Sequence, residues 1–123
     1  MSSPSTAALT GRVRRYYELV DSGDVPGLVA LFAPHATYCR PGYPPLVGRA
    51  QLTRFYQTER VIETGRHTLT SVTADRHSVA VRGRFHGRLK DGRSVDLKFA
   101  DFFTFDPQLQ FERRDTYFFA PMV

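Results

Sequence analysis

Asp101 is the most informative residue in the chain. It lies in the run Val95, Leu97, Phe99, Asp101, Phe103 and Phe105, where every second position is apolar except for this carboxylate, and alternate residues of a strand share one face. A carboxylate on an apolar face must be held neutral or meet a cation or a donor. It can therefore be half of a buried ion pair with an arginine, or a pocket acid that donates a hydrogen bond or moves a proton. Further residues could share that chemistry. Tyr16 belongs to the inner stripe of the first helix, where a buried phenol needs a partner; taken alone it reads equally as a core tyrosine. Arg40 follows Tyr38 at strand spacing and gains meaning if Asp101 or Asp115 is its partner, because a buried cation demands a carboxylate. His67 begins a strand after Gly65-Arg66 and can act as a general base near neutral pH, or stand as an exposed or capping histidine. Glu59 closes the third helix before it. On the last strand Leu109, Phe111, Arg113, Asp115 and Tyr117 share one face, and Gln110, Glu112, Arg114, Thr116 and Phe118 the other. Either could be inner; Tyr117 continuing the Leu109 and Phe111 face turns Asp115 and Tyr117 inward.

These residues need elements to hold them. From Thr10 to Val20 the apolar residues Val13, Tyr16, Tyr17 and Val20 recur at helical steps, which predicts a first helix with one buried stripe. Asp21, Ser22, Gly23 and Asp24 break it, and Asp24 caps a short second helix with Pro26 in its first turn. Leu28, Leu31 and Phe32 form its inner face. Pro34 and His35 stop it, Ala36 to Arg40 is a short strand, and Pro41 to Pro45 is a loop. Gly48 and Arg49 begin a third helix with Leu52, Phe55, Tyr56 and Glu59 on one face. After Gly65 the period changes to two. Residues 67–74 form a strand, and Val79, Val81, Gly83, Phe85, Gly87 and Leu89 alternate with Arg82, Arg84, His86 and Arg88 in the next. Asp91-Gly92 is a hairpin signal, and Asp106-Pro107-Gln108 turns the chain into a last strand over 109–119. Helices first and an antiparallel meander after is an α+β pattern, with helices on one face of a curved sheet.

A chain of 123 residues is one domain in length. Residues 1–9 read as a flexible arm and 10–123 as a single domain. Hydrophobic residues make up 41% and aromatics 13%, enough for a packed core or a ring-lined cavity and too much for disorder. No apolar run approaches the length of a membrane span, and the start has no signal-peptide character, which suggests a cytoplasmic protein without a membrane partner. One cysteine, Cys39, allows no internal disulfide, as expected in a reducing compartment. The net charge of +5 comes from arginines spread along the chain among acids, unlike the clustered charge of nucleic-acid binders. Arg82, Arg84 and Arg88 on one strand face read as solvated or subunit-contacting. The four histidines have no metal-ligand spacing, and no nucleophile elbow, dinucleotide fingerprint or P-loop is present. No metal, cofactor or nucleic acid is expected.

The order of elements, with RYYELVDSGDVPGLVALFAPHATYCRPG and GRAQLTRFY, resembles the ketosteroid isomerase and SnoaL-like polyketide cyclase superfamily, within the wider nuclear-transport-factor-like group. The similarity extends over residues 10–119, and its most specific parts are SGDVPGLVALFAPHAT, GRAQLTRFY and FADFFTFD. The resemblance implies three helices against a strongly curved antiparallel sheet, a cone with one deep apolar pocket, and a homodimer. In ketosteroid isomerases a helix-one Tyr and a neutral Asp on a late strand donate to the developing enolate, while a second Asp moves the proton. Tyr16 and Asp101 match the two donors. Arg40 stands where the proton-moving Asp belongs, and arginine stays protonated, which argues against a steroid Δ5-3-keto isomerase. SnoaL-like cyclases use an aspartate without a cofactor; the resemblance gives that role to Asp101, with His67 or Asp115 as helper.

The expectation is a cofactor-independent isomerase or cyclase acting by proton transfer on a hydrophobic, oxygenated small molecule, polyketide- or terpenoid-like. Asp101, Tyr16, Arg40, His67 and Asp115 carry the chemistry, and Phe32, Tyr38, Tyr56, Glu59, Phe103 and Tyr117 shape the cavity. One alternative is an epoxide-opening hydrolase or cyclase in which Asp101, Arg40 and Asp115 mimic the Asp-Arg-Asp trio of limonene-epoxide-hydrolase-like relatives, although Phe99 stands where their arginine is expected. Another is a non-enzymatic ligand-binding or dimerisation domain.

Overall fold

The computed structural model describes residues 4–119. The first helix, α1 (Thr6–Ser22), begins where the Ser5 side chain accepts the Ala8 amide at 3.0 Å, a serine N-cap. That cap draws residues 6–9, expected to belong to a flexible arm over residues 1–9, into the helix and buries Leu9; residues 1–3 lie outside the described residues. Leu9, Val13, Tyr16, Tyr17 and Val20 form the buried stripe. The helix runs through Asp21 and ends at Gly23, whose φ of 77° is the left-handed conformation glycine tolerates. Asp24 then caps α2 (Val25–Ala30), accepting the Gly27 amide at 2.9 Å, with Pro26 in the first turn.

Strand β1 (Phe32–Cys39) starts earlier than Pro34 and His35 suggest. Its register with the last strand is interrupted between Phe32 and Thr37, so Pro34 sits where no ladder bond is required of it. The two-residue β2 (Leu46–Val47) pairs with β1 and leads into α3 (Gly48–Arg54), which continues as a π-helical turn over Phe55–Glu59. Phe55 and Tyr56 are buried there, but the wider turn breaks the seven-residue spacing from Leu52 and leaves Glu59 exposed. Then follow β3 (Ile62–Asp75), β4 (Ser78–Leu89), β5 (Ser94–Phe105) and β6 (Phe111–Phe118).

The sheet has six strands in the order β2-β1-β6-β5-β4-β3. It is curved and mixed, where a wholly antiparallel one was expected: β3 to β6 form the antiparallel meander, but β1 enters beside β6 in parallel. The helices pack on one face. Val79, Val81, Gly83 and Phe85 of β4 point to the core, with Arg82, Arg84, His86 and Arg88 exposed opposite them. Among the described residues no helix is long and apolar enough to cross a membrane.

One glycine fixes the position of an inner wall. A Cβ on Gly65 of β3 would lie 2.2 Å from the Phe85 ring, which crosses it from β4. Gly65→Ala should therefore displace Phe85 and destabilise the fold by about 1–3 kcal/mol, the usual cost of overpacking, as measured by urea denaturation. An unchanged midpoint would show that the ring has room to move.

Candidate functional site

The interior is organised by one buried ion pair. Asp101 on β5 is 0% exposed and receives Arg114 Nη2 of β6 at 2.8 Å. The Tyr17 hydroxyl from α1 donates to the same carboxylate oxygen, and the Thr116 hydroxyl donates to the other. Thr116 Oγ also lies 3.2 Å from the Tyr38 hydroxyl. Arg114 Nη1 donates to the hydroxyls of Tyr16 and, at 3.1 Å, of Tyr56, which bond each other. The guanidinium lies between the Tyr16 and Tyr38 rings, 4.6 and 4.4 Å from their centroids, a cation–π arrangement. Burial by itself would favour a neutral Arg114, but the Asp101 carboxylate together with the Tyr16, Tyr38 and Tyr56 oxygens holds the arginine pKa well above its ordinary value. Burial also pushes the Tyr16 phenol well up against the opposing pull of Arg114, and raises Tyr56 to about 12. Tyr17 is raised by burial and by the Asp101 charge beside it. All three phenols are neutral at physiological pH.

The pair forms one wall of a cavity of about 30 Å³, room for one or two waters, whose other walls include Tyr38, Arg40, Ile62, His67, Phe85, Phe99 and Phe118. The deep pocket implied by the family resemblance is thus largely filled by the protein's own side chains. His67 is anchored from α1: Asp21 Oδ2 accepts the His67 amide at 2.9 Å, and Asp21 Oδ1 lies 2.6 Å from His67 Nδ1. The imidazole rests against Phe85 and Tyr17, at centroid distances of 4.8 and 5.0 Å, and Nε2 makes no hydrogen bond among the described residues. A carboxylate on Nδ1 orients the ring and selects the tautomer that carries its proton on Nδ1, leaving Nε2 for a reacting group.

Two donors at this cavity have no acceptor. Among the described residues the buried side-chain polar atoms without a hydrogen-bond partner are Arg114 Nε and Arg40 Nε, and both arginines line the cavity. No three His, Cys, Asp or Glu side chains gather at metal-binding distance among the described residues.

Of the residues singled out from sequence, Asp101, Arg40, His67 and Tyr38 meet at the cavity. Asp101 accepts from three donors there, which makes it an anchor for Arg114. Tyr16 and Tyr56 stand behind the wall, bonded to Arg114, and Phe32 and Phe103 pack on Tyr16 in the core without reaching the cavity. Three do not join the site. Glu59 is exposed on the π-helical turn. Asp115 and Tyr117 lie on the outer face, Asp115 paired with Arg113 at 2.9 Å and Tyr117 55% exposed. The cause is a β-bulge: Phe105 pairs with Phe111 but Thr104 with Arg113, so Glu112 is an extra residue and Glu112 and Arg113 both face outward. Beyond it Arg114 and Thr116 point in. The Asp101, Arg40 and Asp115 trio is therefore not assembled. Sequence reading missed Arg114, Thr116, Tyr17 and Asp21. For Asp21 a signal existed: it follows Tyr17 by one helical turn, and a carboxylate in the last turn of a helix opposes the macrodipole, which calls for a compensating partner.

The sequence profile of the SnoaL-like domain matches residues 13–109. Two solved structures share the fold at 21% identity. One is an epoxide hydrolase/cyclase-like enzyme, SalBIII, with a role in pyran ring formation in the polyether salinomycin (TM-score 0.78, 90% of each chain covered). The other is an NTF2-like protein of unknown function from Burkholderia pseudomallei (TM-score 0.83, covering 97% of this chain and 92% of that one).

Replacing Arg114 with Met strands Asp101 as an unpaired buried carboxylate, and equilibrium unfolding should show a loss of about 3–5 kcal/mol. High pH should act on the same cluster. Below an ordinary tyrosine pKa, about 10, folded and unfolded chains hold the same phenol protons and stability is complete. As pH rises further the unfolded chain releases protons that the folded chain retains, at Tyr56 up to about 12, so stability falls across that window. A guanidinium midpoint constant through it contradicts the neutral-phenol network.

Proposed function

Since the chain belongs to the SnoaL-like domain family, we propose that it is a cofactor-independent isomerase or cyclase that moves a proton on a small oxygenated molecule. The observation that carries this reading is that the imidazole of the His67–Asp21 pair lines one small cavity together with two arginines whose buried Nε–H groups lack acceptors. His67 Nε2 takes a proton from a carbon next to a carbonyl, and Asp21 stabilises the imidazolium that results. As negative charge develops on the carbonyl oxygen, Arg114 Nε–H meets it, held rigid by Asp101, Tyr16 and Tyr56, and a fixed donor in a site with little water is the effective kind. In a substrate whose enolate is conjugated to a carbon–carbon double bond, isomerisation is completed when His67 returns the proton to the far carbon of the dienolate and the double bond shifts. In cyclisation the enolate carbon attacks a second carbonyl of the same molecule, and His67 protonates the new alkoxide. The acid/base role thus rests on His67 and Asp101 is a positioning residue. Ile62, Phe85, Phe99 and Phe118 give the cavity its apolar lining, consistent with a hydrophobic substrate.

The expected homodimer finds support on the outer sheet face, where Phe102 and Tyr117 stack edge to face, 47% and 55% exposed. Sedimentation should then give a dimer that Phe102→Glu dissociates; a monomeric wild type removes this part of the proposal.

The catalytic reading is tested by solvent deuterium incorporation into a panel of small ketones and oxo acids, followed by NMR. His67→Gln should lower the rate about 100-fold or more, the usual contribution of a general base. Asp21→Asn should lower kcat with KM unchanged. Full exchange in folded His67→Gln, or none with any compound in the wild type, overturns the assignment.

A further inference from the structure

Arg40 is the charged group of the cavity that proton transfer leaves unused. Its guanidinium carbon lies 5.3, 5.2 and 5.4 Å from the ring centroids of Tyr43, Phe55 and Phe118, so aromatic surfaces surround it on three sides. Ring faces attract the cation, but they are poor substitutes for the oxygen acceptors its in-plane N–H groups require. Among the described residues no carboxylate lies within ion-pair distance of Arg40. Its Nε–H is buried without an acceptor, an arrangement that carries the desolvation cost of an unmade hydrogen bond. Arg114 is different: one terminal nitrogen is bound to Asp101 and the other to two phenols. Asp101 cancels the Arg114 charge, so the fixed positive charge left over on the cavity lining belongs to Arg40.

From the cage, the orphaned Nε–H and this uncancelled charge we infer that Arg40 is the docking point for a carboxylate on the ligand. The inference rests on the reading of the cavity as a substrate site and specifies the class of molecule it takes, a small oxygenated carboxylic acid bound as its anion. A guanidinium presents Nε–H and one Nη–H along a single edge, spaced for the two oxygens of a carboxylate. The group at the bottom of the site must be small, because the cavity is about 30 Å³, and flat, because the guanidinium is walled by rings. A carboxylate meets both conditions, and docked there it sits in the cavity that His67 and Arg114 also line.

The test titrates acetate, acetamide and inorganic phosphate separately into the full chain labelled with ¹⁵N, and follows the Arg40 Nε–H resonance. Acetate should shift it saturably while acetamide and phosphate do not, and Arg40→Lys should weaken acetate binding, read from the neighbouring amides, by at least about tenfold, because it keeps the charge and loses the two-point edge. The wild-type comparison stands even if that variant folds poorly. An equal response to acetamide or phosphate, no saturable shift with acetate, or undiminished affinity in folded Arg40→Lys overturns the inference. His67→Gln separates this site from the catalytic reading. Acetate binding that persists while deuterium exchange is lost upholds both. Acetate binding with exchange intact in that variant leaves the carboxylate site standing and removes His67 as the base. Exchange that depends on His67, without an acetate shift, removes the carboxylate site alone.

Discussion

The Asp101–Arg114 ion pair is the constraint around which the interior is built. Its carboxylate collects Tyr17 from α1 and Thr116 from β6, and its guanidinium collects Tyr16 from α1 and Tyr56 from the π-helical turn. One pair thereby ties the first helix, the end of the third and two central strands into a single polar cluster inside an aromatic core. Buried ion pairs add little net stability, because desolvation offsets attraction. Their effect here is positional: a charge that must be met by several donors admits few arrangements of the elements that carry them.

Two departures from regular geometry make the cluster possible. The bulge at Glu112 reverses the phase of β6, so that Arg114 and Thr116 point inward beyond it. The π-helical turn after α3 buries Phe55 and Tyr56 side by side, one against the Arg40 guanidinium and the other on Arg114. Irregularities of both kinds recur at functional sites because they aim a side chain that regular spacing would misdirect.

The His67 side of the cavity is governed by a different balance. Asp21 occupies the end of α1 where the helix dipole disfavours an anion, and its compensation comes from outside the helix, through the backbone and ring of His67 on β3. Gly65 leaves room for the Phe85 ring, which packs tilted against that imidazole. A locally unfavourable residue held by a tertiary partner is a pattern that marks functional positions.

The architecture was legible in the sequence because it depends on periodicity: the stripes of α1 and α3, the alternation of β4 and β5 and the Asp91-Gly92 turn each follow from neighbours a few positions apart. The inward placement of Asp101 was legible for the same reason. The partner of Asp101 was not. Alternation along β6 offered two faces, Arg113 with Asp115 or Arg114 with Thr116, and the choice turned on one inserted residue opposite Thr104, a property of strand pairing across the sheet that β6 alone does not contain. Glu59 failed in the same way, because the winding of its turn changes where the chain leaves α3 for β3. The Asp21–His67 pair spans 46 positions, and Arg40 acquires its cage of rings from three separate segments. Sequence determined the inward faces of α1, β4 and β5; only the tertiary structure decided the inner face of β6 and which inward residues touch, because both depend on register and on helical phase, and a single bulge or wide turn shifts them.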